Sequence, residues 1–94
     1  MRPAFQVLTP PSFERDVRRL TRRSRELAVL LAGLIALLET DPYNRTRRHD
    51  ITKLTGVGEG EGQWRLRVGD YRLRYDILGQ DVVLYSFRHR REAY

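Results

Sequence analysis

Between Gln63 and Ile77 the chain reads QWRLRVGDYRLRYDI. Apolar or aromatic residues alternate with polar ones on both sides of Gly69-Asp70. A period of two marks a half-buried strand, because successive side chains point to opposite faces of the sheet. A two-residue connection containing glycine marks a hairpin turn, which fixes the register of the strands it joins. With Gly69-Asp70 as the turn, Val68 pairs with Tyr71, Arg67 with Arg72, Leu66 with Leu73 and Arg65 with Arg74. Trp64, Leu66 and Val68 then share a face with Tyr71, Leu73, Tyr75 and Ile77, and are read as core. Arg65, Arg67, Arg72, Arg74 and Asp76 take the other face. The fold must therefore cover one side of this sheet and can leave the other open to solvent.

The cover comes from the first half of the chain. FQVLT (Phe5 to Thr9) has the composition of a short strand. Pro10-Pro11 then suits a first helical turn, with Thr9 or Ser12 expected as the cap. Phe13, Val17 and Leu20 recur at helical spacing, and Arg15, Arg18, Arg19 and Arg22 fall opposite them. A break over Thr21 to Ser24 precedes a second helix, to about Glu39. Leu27, Leu30, Leu31, Leu34, Leu37 and Leu38 form its apolar stripe, and Asp41-Pro42 ends it. Tyr43 to Asp50 is polar and basic, hence a loop. ITKLTG is a brief strand or a turn. GVGEGEG (Gly56 to Gly62) has acidic charges and no lysine-serine phosphate signature, so it reads as a mobile hairpin tip. Gly79-Gln80 is a second hairpin turn, leading into a strand over about Asp81 to Arg88. In the simplest register Val82 and Leu84 face the core, while Tyr85 and Phe87 join the arginines; a slip of one residue reverses this. The expected architecture is a single α+β domain over 1–94, β-α-α-β-β-β, with a helical hairpin on one face of an antiparallel sheet.

Composition narrows the chemistry. The chain has no cysteine, which removes disulfides and thiolate nucleophiles, and only two histidines, His49 and His89, so no metal site or cofactor is expected. The longest apolar stretch, Leu27 to Leu38, is too short to span a bilayer, which takes about twenty residues. With no apolar signal region near the N-terminus, the expected location is the cytoplasm. The net charge of +6 points to a polyanionic partner. Because 17 of the 18 basic residues are arginine, placement carries more information than number. Directly opposed like charges cost a sheet on the order of 0.2–1 kcal/mol per pair. An anion that neutralises them removes that cost, and guanidinium forks match phosphodiester oxygens. Tyr85, Phe87 and Tyr94 are candidates to stack on bases of a single strand.

The stretch WRLRVGDYRLRY together with the ending RHRREAY resembles the RelE/ParE superfamily of toxins from toxin–antitoxin pairs. FERDVRRL, an apolar second helix ending in DP, and KLTG agree with it. The glycine-rich insertion before Trp64 has no evident role in the family pattern. In the RelE branch, the resemblance implies a metal-free endoribonuclease that enters the 30S A site of the ribosome and cuts messenger RNA there. The messenger's 2′-hydroxyl attacks the adjacent phosphate. By this resemblance Arg65, Arg72, Arg88 and Tyr94 are catalytic. Lys53, Arg67, Arg74, His89, Arg90 and Arg91 are the expected RNA or phosphate contacts. Arginine keeps its proton, so the proton acceptor is sought in Tyr94 or His89. The resemblance also implies a cognate antitoxin, with the ribosome and messenger as targets. The ParE branch shares the fold but poisons DNA gyrase and cuts no RNA. A nucleic-acid-binding module without activity is the third reading.

Overall fold

The structure is a computed structural model and describes residues 4–93. The order is β1 (Gln6–Leu8), α1 (Pro11–Arg23), α2 (Arg25–Thr40), β2 (Ile51–Lys53), β3 (Trp64–Val68), β4 (Tyr71–Leu78), β5 (Asp81–His89) and a short α3 (Arg90–Ala93). The strands form one sheet in the order β1-β5-β4-β3-β2. Two features differ from the expected antiparallel sheet. β1 lies parallel to β5, with Val7 opposite Val82; no tight turn joins these two strands, since the helices and the other three strands lie between them in the chain, as a parallel pair requires. ITK is a true strand, adding β2 antiparallel to the outer edge of β3.

The central hairpin has the register that its turn dictates: Val68 opposite Tyr71, Arg67 opposite Arg72, Leu66 opposite Leu73 and Arg65 opposite Arg74. Gly69 turns with φ 56°, a conformation that glycine adopts without steric cost.

The third strand keeps both of the registers that its alternation permits. A bulge places Arg74 opposite Ser86 but Tyr75 opposite Leu84, so Tyr85 has no partner on β4. Before the bulge Val82 and Leu84 are buried; after it Phe87 is buried; Tyr85 itself is turned out. Tyr85 thus joins the arginine side as expected, and Phe87 does not. One inserted residue resets the alternation, which no uniform period can express.

The helices cover the apolar face. Phe13 and Val17 of α1 and Leu31, Leu34 and Leu38 of α2 pack with Leu66, Leu73, Tyr75, Val82, Leu84 and Phe87 in one buried cluster. Trp64 and Tyr71 pack half-buried against it. Neither Thr9 nor Ser12 caps α1: Pro10 stands at the cap position, and the Thr9 hydroxyl donates to Glu14 Oε1 at 2.8 Å. The expected break shrinks to Ser24, whose extended backbone separates the helices and whose Oγ accepts from the Leu27 amide. One cap residue suffices to end one helix and start the next.

Asp41 organises the loop after α2. Its carboxylate accepts from the Arg45 amide (2.7 Å) and the Thr46 hydroxyl (2.6 Å), and His49 Nε2 lies 3.6 Å away. Burial pushes the Asp41 carboxyl up. The hydrogen bonds from Thr46 and Arg45 and the nearby imidazole more than reverse that, leaving it below its ordinary 3.8. Next to it the buried Tyr75 hydroxyl donates to the Pro42 carbonyl at 2.7 Å. Burial, with the Asp41 charge, raises the phenol well above its ordinary value.

Candidate phosphate-binding face

The uncovered side of β3, β4 and β5 carries the arginines in two rows. Arg67, Arg72 and Arg88 stand directly opposite one another across three adjacent strands. Arg65, Arg74 and Ser86 form the next row, continued by Thr52 of β2. Arg72 is the centre of the first row, flanked by a like charge on each side.

The side chains are held differently. Arg72 Nη1 donates to the Gly69 and Tyr71 carbonyls, both at 3.0 Å, so the turn itself orients the guanidinium. Its Nε is buried without a hydrogen-bond partner among the described residues. Arg67 Nε donates to Asp50 Oδ2 at 2.8 Å. Arg65 is half-buried between its neighbours. Arg88 is exposed and has no carboxylate partner among the described residues. It borders a cleft of about 330 Å³ shared with Asp16, Arg19 and Ser86. The α1 arginine stripe thus reaches the edge of the face through Arg19. Three guanidinium groups in register on an uncovered sheet face are a seat for a bound anion.

Several expected contacts lie elsewhere. Lys53 stands opposite Trp64 and over its ring, on the helix-covered side of the sheet. It projects away from the arginines because it is one residue past Thr52, and adjacent strand residues alternate. His89 falls on the same covered side, opposite Tyr71 and edge-on to its ring at 5.3 Å. Its Nδ1 accepts the Arg91 amide at 3.2 Å, which places the neutral imidazole's proton on Nε2. His89 therefore faces away from the arginine rows, with its Nδ1 lone pair engaged by the Arg91 amide. Arg90 and Arg91 sit in α3 beside the hairpin turn; Arg90 is tied to Asp70 through its backbone amide (2.7 Å) and its Nε (3.5 Å). Tyr94 lies outside the described residues.

The glycine-rich segment is the feature that sequence reading missed. It is not a free tip, because its C-terminal half is fastened to the arginine side of β4. Asp76, 3 % exposed, accepts amide hydrogens from Gly60 (3.2 Å), Gly62 (2.9 Å) and Gln63 (3.1 Å). Arg74 donates back to the Gly62 (3.0 Å) and Glu61 (2.6 Å) carbonyls. Arg74 is therefore committed to this loop. Gly62 has φ 74°, and a Cβ there would lie 2.9 Å from Tyr85 Cδ2 and 3.0 Å from Arg74 Cβ. A side chain would have to displace both. The acidic residue in an otherwise basic face was the available signal.

Compared with known proteins, residues 7–94 match the family model described as the ParE toxin of type II toxin–antitoxin systems, parDE. The chain belongs to the RelE/ParE superfamily of type II toxins. Two solved structures share the fold of this toxin. One is an archaeal RelE–RelB complex from Pyrococcus horikoshii OT3, with TM-score 0.68 and 21 % identity, covering 93 % of this chain and 96 % of that one. The other is a RelB–RelE antitoxin–toxin complex from Methanococcus jannaschii, with TM-score 0.63 and 21 % identity, covering 93 % and 94 %. A search of curated proteins finds no match. Among the described residues, no helix of the toxin is long and apolar enough to cross a membrane.

Proposed function

We propose that this toxin is a RelE-like endoribonuclease that cuts messenger RNA in the ribosomal A site and is neutralised by a cognate antitoxin. The observation that carries the reading is the Arg67–Arg72–Arg88 row, three guanidinium groups in direct register on the open face. The cytoplasm is where such a substrate is met, and the antitoxin parallels the partner in the two archaeal complexes.

The chemistry follows from charge and placement. The 2′-oxygen attacks the adjacent phosphorus, the P–O5′ bond breaks, and the products are a cyclic phosphate and a 5′-hydroxyl. The proton released by the 2′-hydroxyl balances the one taken up by the leaving oxygen. Negative charge grows on the non-bridging oxygens, and fixed guanidinium donors stabilise it where it develops. Arg72 and Arg88 supply those donors, Arg65 borders them, and Arg67 divides its charge between Asp50 and the phosphate. Holding the 2′-oxygen in line with the leaving group supplies the remaining rate gain. Arginine cannot accept the proton, and this role is assigned to Tyr94.

The test is Arg72→Ala. Losing one preorganised donor in the transition state should cost on the order of 10²–10³ in single-turnover cleavage on programmed ribosomes. The fold should survive, since two hydrogen bonds to turn carbonyls are lost while two like-charge contacts are relieved. Wild-type cleavage in a folded Arg72→Ala protein would remove the assignment. The family model favours a second reading, a ParE-like poison of DNA gyrase. Gyrase trapped on DNA, with intact messenger on ribosomes, would establish it instead.

A further inference from the structure

We infer that Tyr85 is the platform on which a nucleobase next to the scissile phosphate stacks. This rests on the RNA-cleaving reading above and adds to it a residue that selects how the strand is seated.

Four observations converge on the ring. The β4–β5 bulge turns Tyr85 out of the pairing and onto the arginine side; bulges of this kind re-aim side chains beside functional sites. Tyr85 is 45 % exposed, and among the described residues it is the one aromatic side chain on that side of the sheet. One ring face is taken by the Arg74 guanidinium, 5.3 Å from the centroid. Arg74 is in turn fixed by the Gly62 and Glu61 carbonyls, and Gly62 packs so closely that a Cβ would strike the ring. The ring is thus oriented before any ligand arrives.

The surroundings suit a base. Tyr85 lines a cleft of about 250 Å³ with Pro10, Ser12, Gly60 and Leu78. Leu78 and Pro10 give it apolar walls, and the Ser12 hydroxyl makes no helix-cap bond and can meet a polar base edge. Arg74 lies two residues along β4 from Arg72, roughly 7 Å at the usual strand rise. That step matches a phosphate on Arg72 and its neighbouring base at Tyr85. Stacking on an aromatic ring tolerates every base, while the Ser12 edge would grade among them.

The experiment uses the full-length toxin and a short single-stranded oligoribonucleotide carrying one 2-aminopurine, whose fluorescence falls on stacking. Wild type and Tyr85→Phe should bind with quenching. Tyr85→Ala should bind on the order of tenfold to a hundredfold more weakly, without quenching, and with an unchanged salt slope, because phosphate contacts remain. If Tyr85→Ala melts early, Tyr85→Leu keeps apolar packing against Gly62 without an aromatic face and should show the same loss. Quenching equal to wild type in either folded variant would overturn the platform, as would wild-type binding without quenching. Wild-type cleavage on programmed ribosomes, run in parallel, separates this failure from that of the RNA-cleaving reading. Intact messenger with wild-type toxin would remove both.

Discussion

Replacing Asp76 by alanine should be the most damaging single change on the arginine side of the sheet, although Asp76 touches no proposed substrate. Its carboxylate is the acceptor for three backbone amides of the glycine-rich segment, at 3.2, 2.9 and 3.1 Å. Alanine leaves all three without it. The bond to Gly62 is buried, and an unsatisfied buried donor costs about 1–3 kcal/mol. The amides of Gly60 and Gln63 are part-buried; water recovers some of their loss, so each contributes about 0.5–1 kcal/mol. The carboxylate's own desolvation is no longer required, which offsets part of the total. A net loss of about 2–4 kcal/mol corresponds to a melting temperature lower by about 10–25 °C in a domain of this size. Asp76→Asn keeps one oxygen for Gly60 and Gln63 but sets an NH2 against the Gly62 amide, so it should fall between the two. Calorimetric melts of the three proteins, with amide exchange at Gly60, Gly62 and Gln63, measure the effect. A melting temperature within about 2 °C of wild type and unchanged protection of those amides would show that Asp76 does not hold the segment.

Two further outcomes are expected. Asp41 titrates below its ordinary value in the folded toxin, so its stabilisation is complete above pH 3.8 and is lost as the pH falls through the folded value. Thr46→Val removes the hydroxyl that donates at 2.6 Å, and its acid-unfolding midpoint should move to higher pH; coincident acid curves for the two proteins would refute the role. Binding of single-stranded RNA should weaken steeply with salt, and removing Arg72 or Arg88 should each reduce the slope of log K against log salt by about 0.7. A slope unchanged in both variants would place the RNA on another surface.

The hairpin from Trp64 to Leu78 was fully legible in the sequence, because alternation and a two-residue turn are local properties that fix register and facing together. The same locality explains why the two helices, their apolar stripes and the Arg65, Arg67, Arg72 and Arg74 face could be read directly. The superfamily was legible too, from residue patterns that span nearly the whole chain. What the tertiary structure alone decided are relations between segments far apart in sequence. A bulge sent Tyr85 out and Phe87 in, since its position depends on how β5 must shift to bury both Leu84 and Phe87. β2 is a strand through its pairing with the edge of β3, a partner that its own three residues do not specify. Lys53 and His89 are basic residues next to the right strands, yet the strand parity that burial of Trp64 and Tyr71 imposes puts them on the covered side. Asp76 and the amides of Gly60, Gly62 and Gln63 are 13–16 residues apart and carry no local signal for each other; a carboxylate that must be buried there takes whichever donors the fold brings within reach.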